Sequence, residues 1–225
     1  MAYGLNNRLY AKRRIGQLSQ AQEIVALNIS QSYYVDARAS QFDSQHNTNL
    51  IGASSASAVN HFSPVRLTAR VTPSANISGD LRGDIDSRHT TLRSISANAS
   101  YNIPQRLGAT VGWGKTFFVP DTPGYDNRDF LTHSFNFSTN LQTRDNKYGV
   151  TYSGYYDVRQ GQIVDQRIAS FYNAQCCGIA VEYLRRAGSP SGATYFVPAV
   201  NRFFLSFTLA GLGNFSPVGG MNNGR

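Results

Sequence analysis

The amino-acid sequence predicts an all-β chain, an antiparallel transmembrane β-barrel. Three observations predict it. Apolar and polar residues alternate one by one through most of the 225 residues, and a period of two marks a strand with one apolar and one polar face. Many alternating runs reach about ten residues; a soluble strand averages about 5–6, and a tilted transmembrane strand needs about 9–11. Only 15% of the residues are charged, while Tyr and Phe number 13 each. An average soluble domain carries about 25% charged residues, so this chain lacks the usual charged surface. Its abundant Asn, Gln, Ser, Thr and Gly suit an uncharged polar face instead.

Eleven strands are expected, near 4–14, 23–36, 62–73, 77–88, 90–103, 107–119, 131–144, 147–159, 162–175, 177–187 and 201–212. In VRLTARVT, Val65, Leu67, Ala69 and Val71 alternate with Arg66, Thr68, Arg70 and Thr72. LGATVGWGK sets Leu107, Ala109, Val111 and Trp113 against Gly108, Thr110 and Gly112. In THSFNFSTNLQ, Phe135, Phe137 and Leu141 alternate with Ser134, Asn136, Ser138 and Asn140. YGVTYSGYYDV repeats the pattern with Tyr148, Val150 and Tyr152 against Thr151 and Ser153. Tight turns are expected at TRDNKYG and VRQGQ, and long polar loops at 37–61 and 120–130. Short turns at one end and long loops at the other fit outer-membrane barrels. Tyr and Phe near the strand ends fit an aromatic girdle.

One stretch concentrates charge. In ISGDLRGDIDSRH, Asp80, Arg82, Asp84, Asp86 and Arg88 share one phase, and Ile77, Gly79, Leu81, Gly83 and Ile85 the other. Arg66 and Arg70 lie on the polar face of the preceding strand, so antiparallel pairing sets these charges opposite one another. Charge does not face lipid cheaply, so these seven residues are the candidate lumenal charged wall.

The chain carries a formal net charge of +8, which fits a surface near phosphates. No RNP-type motif, zinc-finger spacing or basic helix is present, so nucleic acid is not the expected partner. No apolar run approaches the ~20 residues of a membrane helix. The opening MAYGLNNRLYAKRRIGQ has no apolar h-region of a signal peptide. The expectation is a cytosolic protein or part of a longer one.

The sequence offers little catalytic chemistry. His46, His61, His89 and His133 make no metal spacing with one another or with cysteine, so neither metal nor cofactor is expected. His133 and Ser134 are adjacent on a strand and point to opposite faces, which removes a Ser/His pair of lipase type. GLGNFSPVGG follows the last strand and opens no helix, so it is no phosphate loop. The chain is not expected to be an enzyme.

Cys176 and Cys177 are the only cysteines, and they are adjacent. Four readings stand: two inert buried thiols, a metal site short of ligands, a strained bond between neighbours, or two disulfides to cysteines outside this chain in an oxidising compartment.

The vicinal CC opening GIAVEYLRR, the closing RFFLSFTLAGLGNF and the opening YGLNNRLYAKR together resemble the C-terminal barrel portion of the lipopolysaccharide-assembly outer-membrane protein family (LptD, also OstA/Imp, organic solvent tolerance). The resemblance spans about residues 3 to 213 and is most specific in the last 50. It implies a Gram-negative outer-membrane location and transport of lipopolysaccharide from a periplasmic jellyroll domain to a lateral opening between the first and last barrel strands. A plug lipoprotein, LptE, would sit inside the barrel. Cys176 and Cys177 match the family's C-terminal pair, each of which forms a long-range disulfide to an N-terminal cysteine. Residues 1–215 would then be the C-terminal segment of a larger barrel, 216–225 a flexible tail, and the jellyroll domain absent. Phe203, Leu205, Phe207, Leu209, Gly211 and Gly213 would lie on the lateral-seam strand, with the glycines weakening its pairing. Arg66, Arg70, Arg82, Arg88 and Arg93 are candidates for lipid phosphates; ion pairing with Asp80, Asp84 and Asp86 is the competing role.

Three other functions compete. A small complete porin-like barrel would pass solutes and leave the cysteine pair unexplained. A barrel hydrolase needs Ser and His on one face. A soluble carbohydrate-binding β-sandwich predicts shorter strands.

Overall fold

A computed structural model describes residues 1–15, 18–42, 59–122, 124–188, 198–209 and 213–215. The strands are β1 (Ala2–Ile15), β2 (Leu18–Ser32), β3 (Val65–Ser74), β4 (Ile77–Ile85), β5 (Leu92–Ile103) and β6 (Leu107–Thr116), then β7 (His133–Gln142), β8 (Tyr148–Asp157), β9 (Gln162–Asn173), β10 (Cys177–Arg186), β11 (Val200–Leu209) and β12 (Gly213–Phe215). Two short 3-10 helices, Ala37–Phe42 and Arg128–Phe130, are the helical content among the described residues. The sheet order is the sequence order, β1 through β12. Among the described residues no pairing closes the sheet from β1 to its last strands. No helix is long and apolar enough to cross a membrane.

The chain divides into two compact units, Met1–Ala99 with Gly112–Ser134, and Ser100–Val111 with Phe135–Arg225. In the first, β1 to β4 pair antiparallel in sequence order. Leu5, Ile29 and Leu67 stand in line across three strands, as do Leu9, Val25 and Val71. On the other face, Arg66 lies opposite Asp84, Thr68 opposite Arg82 and Arg70 opposite Asp80. This is the register that the alternation in VRLTARVT and ISGDLRGDI requires.

In the second unit the register of β8 to β11 gives the same two faces. Tyr172, Ile179 and Phe207 align on one, and Ile168, Tyr183 and Phe203 beside them. The other face carries Thr151, Ser153, Arg167, Glu182 and Ser206. Tight turns close the hairpins. Asp157 Oδ1 accepts the backbone N–H of Arg159 and Gln160 at 2.8 and 3.2 Å, and Gly161 follows at φ +66°, where glycine pays no steric penalty. In the turn 143–147, Asn146 takes φ +54°, a conformation Asn tolerates better than most residues.

The apolar face is uncovered. Leu5 is 62% exposed, Leu9 57% and Phe203 64%. A sheet in water buries its apolar face against another layer, and none is present among the described residues. Among the described residues the buried hydrophobic ones are Val119 and Tyr125, both in the connection between β6 and β7. The packed interior of the first unit therefore lies among its loops and not on its sheet.

Strand existence and phase agree with the sequence expectation, and the ends differ. The charged strand stops at Ile85 and not at residue 88; the final long strand runs to Leu209, and its expected continuation over 210–212 lies outside the described residues. A twelfth strand, Gly213–Phe215, turns back along β11 and pairs Gly213 with Leu209. The expected tail, 216–225, lies outside the described residues.

Candidate functional site

The charged wall forms on β3, β4 and β5 of the first unit. Asp84 is its hub. Its Oδ1 accepts Arg66 Nε at 2.9 Å, while Oδ2 lies 3.5 Å from Arg82 Nε and accepts the Ser94 hydroxyl at 3.3 Å. Asp80 accepts the Asn98 side-chain amide at 3.1 Å. Arg70 faces Asp80 in register, yet no ion pair to Arg70 is present among the described residues. Arg66, Arg70, Asp80, Arg82 and Asp84 are thus brought together on one face, as their phase predicts.

A bulge adds an unexpected member. The β1–β2 register steps from Leu9 opposite Val25 to Tyr10 opposite Glu23. Strict alternation would place Glu23 with Val25 on the apolar face. The extra residue, Ile24, re-aims it, as bulges do. The Glu23 carboxylate sits 3.6 Å from Arg8 Nη1 and accepts the Tyr10 hydroxyl at 3.5 Å. Arg8, Glu23, Asn28, Arg70, Asp80 and Arg82 line a groove of about 640 Å³ on this face.

Asp86 and Arg88 correct the expected wall, because both lie beyond the end of β4. Asp86 is fully buried and organises the turn to β5. Its Oδ1 accepts the backbone N–H of Arg88 and His89 at 2.8 and 3.0 Å, and its Oδ2 accepts the Arg93 guanidinium. Burial pushes the carboxyl up, but Arg93 and the two turn amides outweigh burial and hold it below its ordinary value. Thr90 completes the turn at φ +54°. His89 Nδ1 is buried without a hydrogen bond, 3.5 Å from Asp86 Oδ1.

Arg88 reaches across to the β6–β7 loop and donates to the Asp121 carbonyl and the Thr122 hydroxyl, both at 2.9 Å. That loop turns Tyr125 inward, below the Arg93 guanidinium at 5.8 Å. Burial raises the Tyr125 phenol above its ordinary value. The β2–β3 connection joins the cluster through Asn60 Nδ2 on Ser87 Oγ at 3.0 Å. Three loops that follow β2, β4 and β6, and so leave the same end of an antiparallel meander, are interlocked by polar contacts.

In the second unit, Cys176 occupies the turn between β9 and β10, and Cys177 opens β10. Both are free thiols, one exposed and one half-buried, with Sγ atoms 3.0 Å apart. The turn is fixed by Ala174 N–H on the Cys177 carbonyl at 2.7 Å. It lies beside the turn 143–147, through Asn173 N–H on the Lys147 carbonyl at 2.7 Å. These turns, with 104–106, follow β9, β7 and β5 and share the short-turn end of this unit.

Phe203, Leu205 and Phe207 alternate along β11 and align with Tyr183, Val181 and Ile179. Leu209 pairs with Cys177 on one side and Gly213 on the other. Gly213 therefore belongs to a separate strand and not to the expected seam strand. Gly211 lies outside the described residues. The polar face here is braced by Arg167 on the nearly buried Glu182 and by Arg186 Nε on Asp165 at 3.0 Å.

His133 Nε2 accepts the Trp113 indole N–H at 3.1 Å, in the role of a packing partner. Among the described residues no three His, Cys, Asp or Glu side chains are placed to hold a metal ion.

Fold and site define the class: an all-β antiparallel meander whose strands carry one apolar and one polar, charge-bearing face, a pattern consistent with a β-barrel. Compared with known protein families and with curated proteins, the chain matches none.

Proposed function

We propose that the chain is a barrel segment of an outer-membrane translocon that delivers lipopolysaccharide to the outer leaflet of a Gram-negative bacterium. One observation carries the barrel reading: long strands expose an apolar face, while the clustered charges of β3 and β4 and the Arg167–Glu182 pair lie on the opposite face. In a bilayer this arrangement satisfies both faces, lipid outside and an aqueous lumen within. In water it would leave a large apolar surface bare, which monomeric soluble proteins avoid.

The placement of Cys176 and Cys177 supports the export reading. Short turns of outer-membrane barrels face the periplasm, an oxidising compartment. An exposed vicinal pair in such a turn is positioned to bond cysteines of a periplasmic domain, as the resemblance to the LptD family implies. The remainder of the barrel, the jellyroll domain and the plug lipoprotein LptE are the partners on this reading. The seam of the barrel would involve β11, whose apolar face would meet the acyl chains of the departing lipid.

The test is an immunoblot of outer-membrane extract from the source organism, run with and without reductant. A band much larger than the 24.7 kDa of this chain, with mobility that changes on reduction, is the expected result. A reductant-insensitive band at the mass of this chain would replace the export reading with that of a small complete barrel.

A further inference from the structure

We propose that the groove on the polar face of β1 to β4 binds a phosphorylated sugar, with Arg70 as the phosphate ligand. The inference deepens the reading above and rests on it in one respect, that this face lines an aqueous lumen. The wall is not a uniform row of charges. Arg66 is committed to Asp84 at 2.9 Å, Arg93 to buried Asp86 and Arg88 to the β6–β7 loop. Those three guanidiniums are structural.

The groove holds the others. Arg70 is exposed and has no ion pair among the described residues, because its register partner Asp80 takes Asn98 instead. Arg8 and Arg82 are about half exposed and held by long contacts, Arg8 at 3.4 Å from Asn6 Oδ1 and 3.6 Å from Glu23, and Arg82 at 3.5 Å from Asp84. Three arginines against Glu23 and Asp80 leave the groove with a positive excess. An anion is therefore favoured over a metal cation. A guanidinium presents a fork of donors that matches phosphate.

Neutral groups fill the space between the charges. Asn6, Asn28 and Thr68 line the same groove and offer both donors and acceptors, which suits hydroxyl groups. The two carboxylates accept further hydroxyl protons. A volume of about 640 Å³ lies within the usual range for small-molecule sites. Ala26, Ala69 and Leu81 supply the apolar part of the lining, and a sugar bearing phosphate fits the charged and the neutral polar groups together.

The test uses the full chain in amine-oxide micelles and titrates it with glucose 6-phosphate, glucose or inorganic phosphate, read by calorimetry. Saturable binding of glucose 6-phosphate, tighter than either of the other two, is expected. Arg70→Gln should weaken it about tenfold or more, and Arg70→Lys should retain part of the loss, since charge survives but the fork does not. Arg202→Gln, in the second unit, should leave binding unchanged. Each variant is matched to the parent by its far-ultraviolet β spectrum. Equal binding by Arg70→Gln, or equal affinity for inorganic phosphate alone, would overturn the assignment. Absence of sugar-phosphate binding alongside the large reducible band would remove the groove site and leave the export reading standing. Binding without that band would do the reverse.

Discussion

Asp86 is where sequence phase and structure part most instructively. In ISGDLRGDID it repeats the phase of Asp80 and Asp84 and reads as a third wall carboxylate. The strand ends one residue earlier, and the side chain turns to the local amides, an alternative Asp offers wherever a turn begins. Nothing in the composition marks that step, because the groups that stabilise it, Arg93, Tyr125 and Thr122, arrive from later in the chain. Glu23 is illegible for a different reason: a one-residue bulge leaves no compositional mark, yet it reverses the face of every residue beyond it. Asp86→Asn should weaken the loop cluster by about 3 kcal/mol, since Arg93 would keep its buried charge without a counter-ion. Amide exchange in 117–126 should accelerate accordingly. The pH dependence has a definite sign. The folded Asp86 pKa lies below its unfolded value, so its contribution is present above about pH 3.9. It is lost as pH falls through the folded pKa, and protection factors in 86–93 should drop in acid and not in base.

Elements were the most legible scale. Phase along β3, β6, β7 and β8 follows directly from the alternation, because facing is a local property of an extended chain. What local pattern does not carry is which cross-strand pairs are tight. Gly149 lies opposite Phe171, and a Cβ on it would collide with the ring; the same holds for Gly154 and Phe137. In each case the ring occupies the space that a Cβ on the glycine would need. Gly149→Ala should cost about 1–3 kcal/mol in urea unfolding from micelles. Gly149→Ala combined with Phe171→Leu should recover part of that loss, a non-additivity expected of residues in contact. A result in which the double variant is simply the sum of the singles would remove the ring-on-glycine explanation.

For the whole molecule the governing fact is where burial is found. Val119, Tyr125, Asp86 and Thr122 are buried in loops and Glu182 on the polar face of β10, while large apolar side chains on the other face of the sheet stay exposed. Composition foreshadowed this through low charge and abundant aromatics; the interlocking of the loops needed three dimensions. If the apolar face meets lipid, a charge placed on it should be penalised according to depth. Ile179→Arg should destabilise the chain in bilayers by up to about 2–4 kcal/mol. Thr151→Arg, on the opposite face, should be close to neutral. Equal penalties for the two would contradict a lipid-facing assignment. The isolated chain should also fail to remain monomeric in buffer without detergent, as measured by sedimentation.

The sheet order, in which each strand lies beside its successor, has a kinetic consequence. Contacts between sequence neighbours need little chain search, so closure entropy at each step is small. Growth can proceed as a zipper, one hairpin at a time, and each new strand finds its template already in place. The templating edge is then always the most recently added strand. An arrest at any point exposes one ladder of unsatisfied amides and carbonyls at the growing end, with the earlier hairpins already paired.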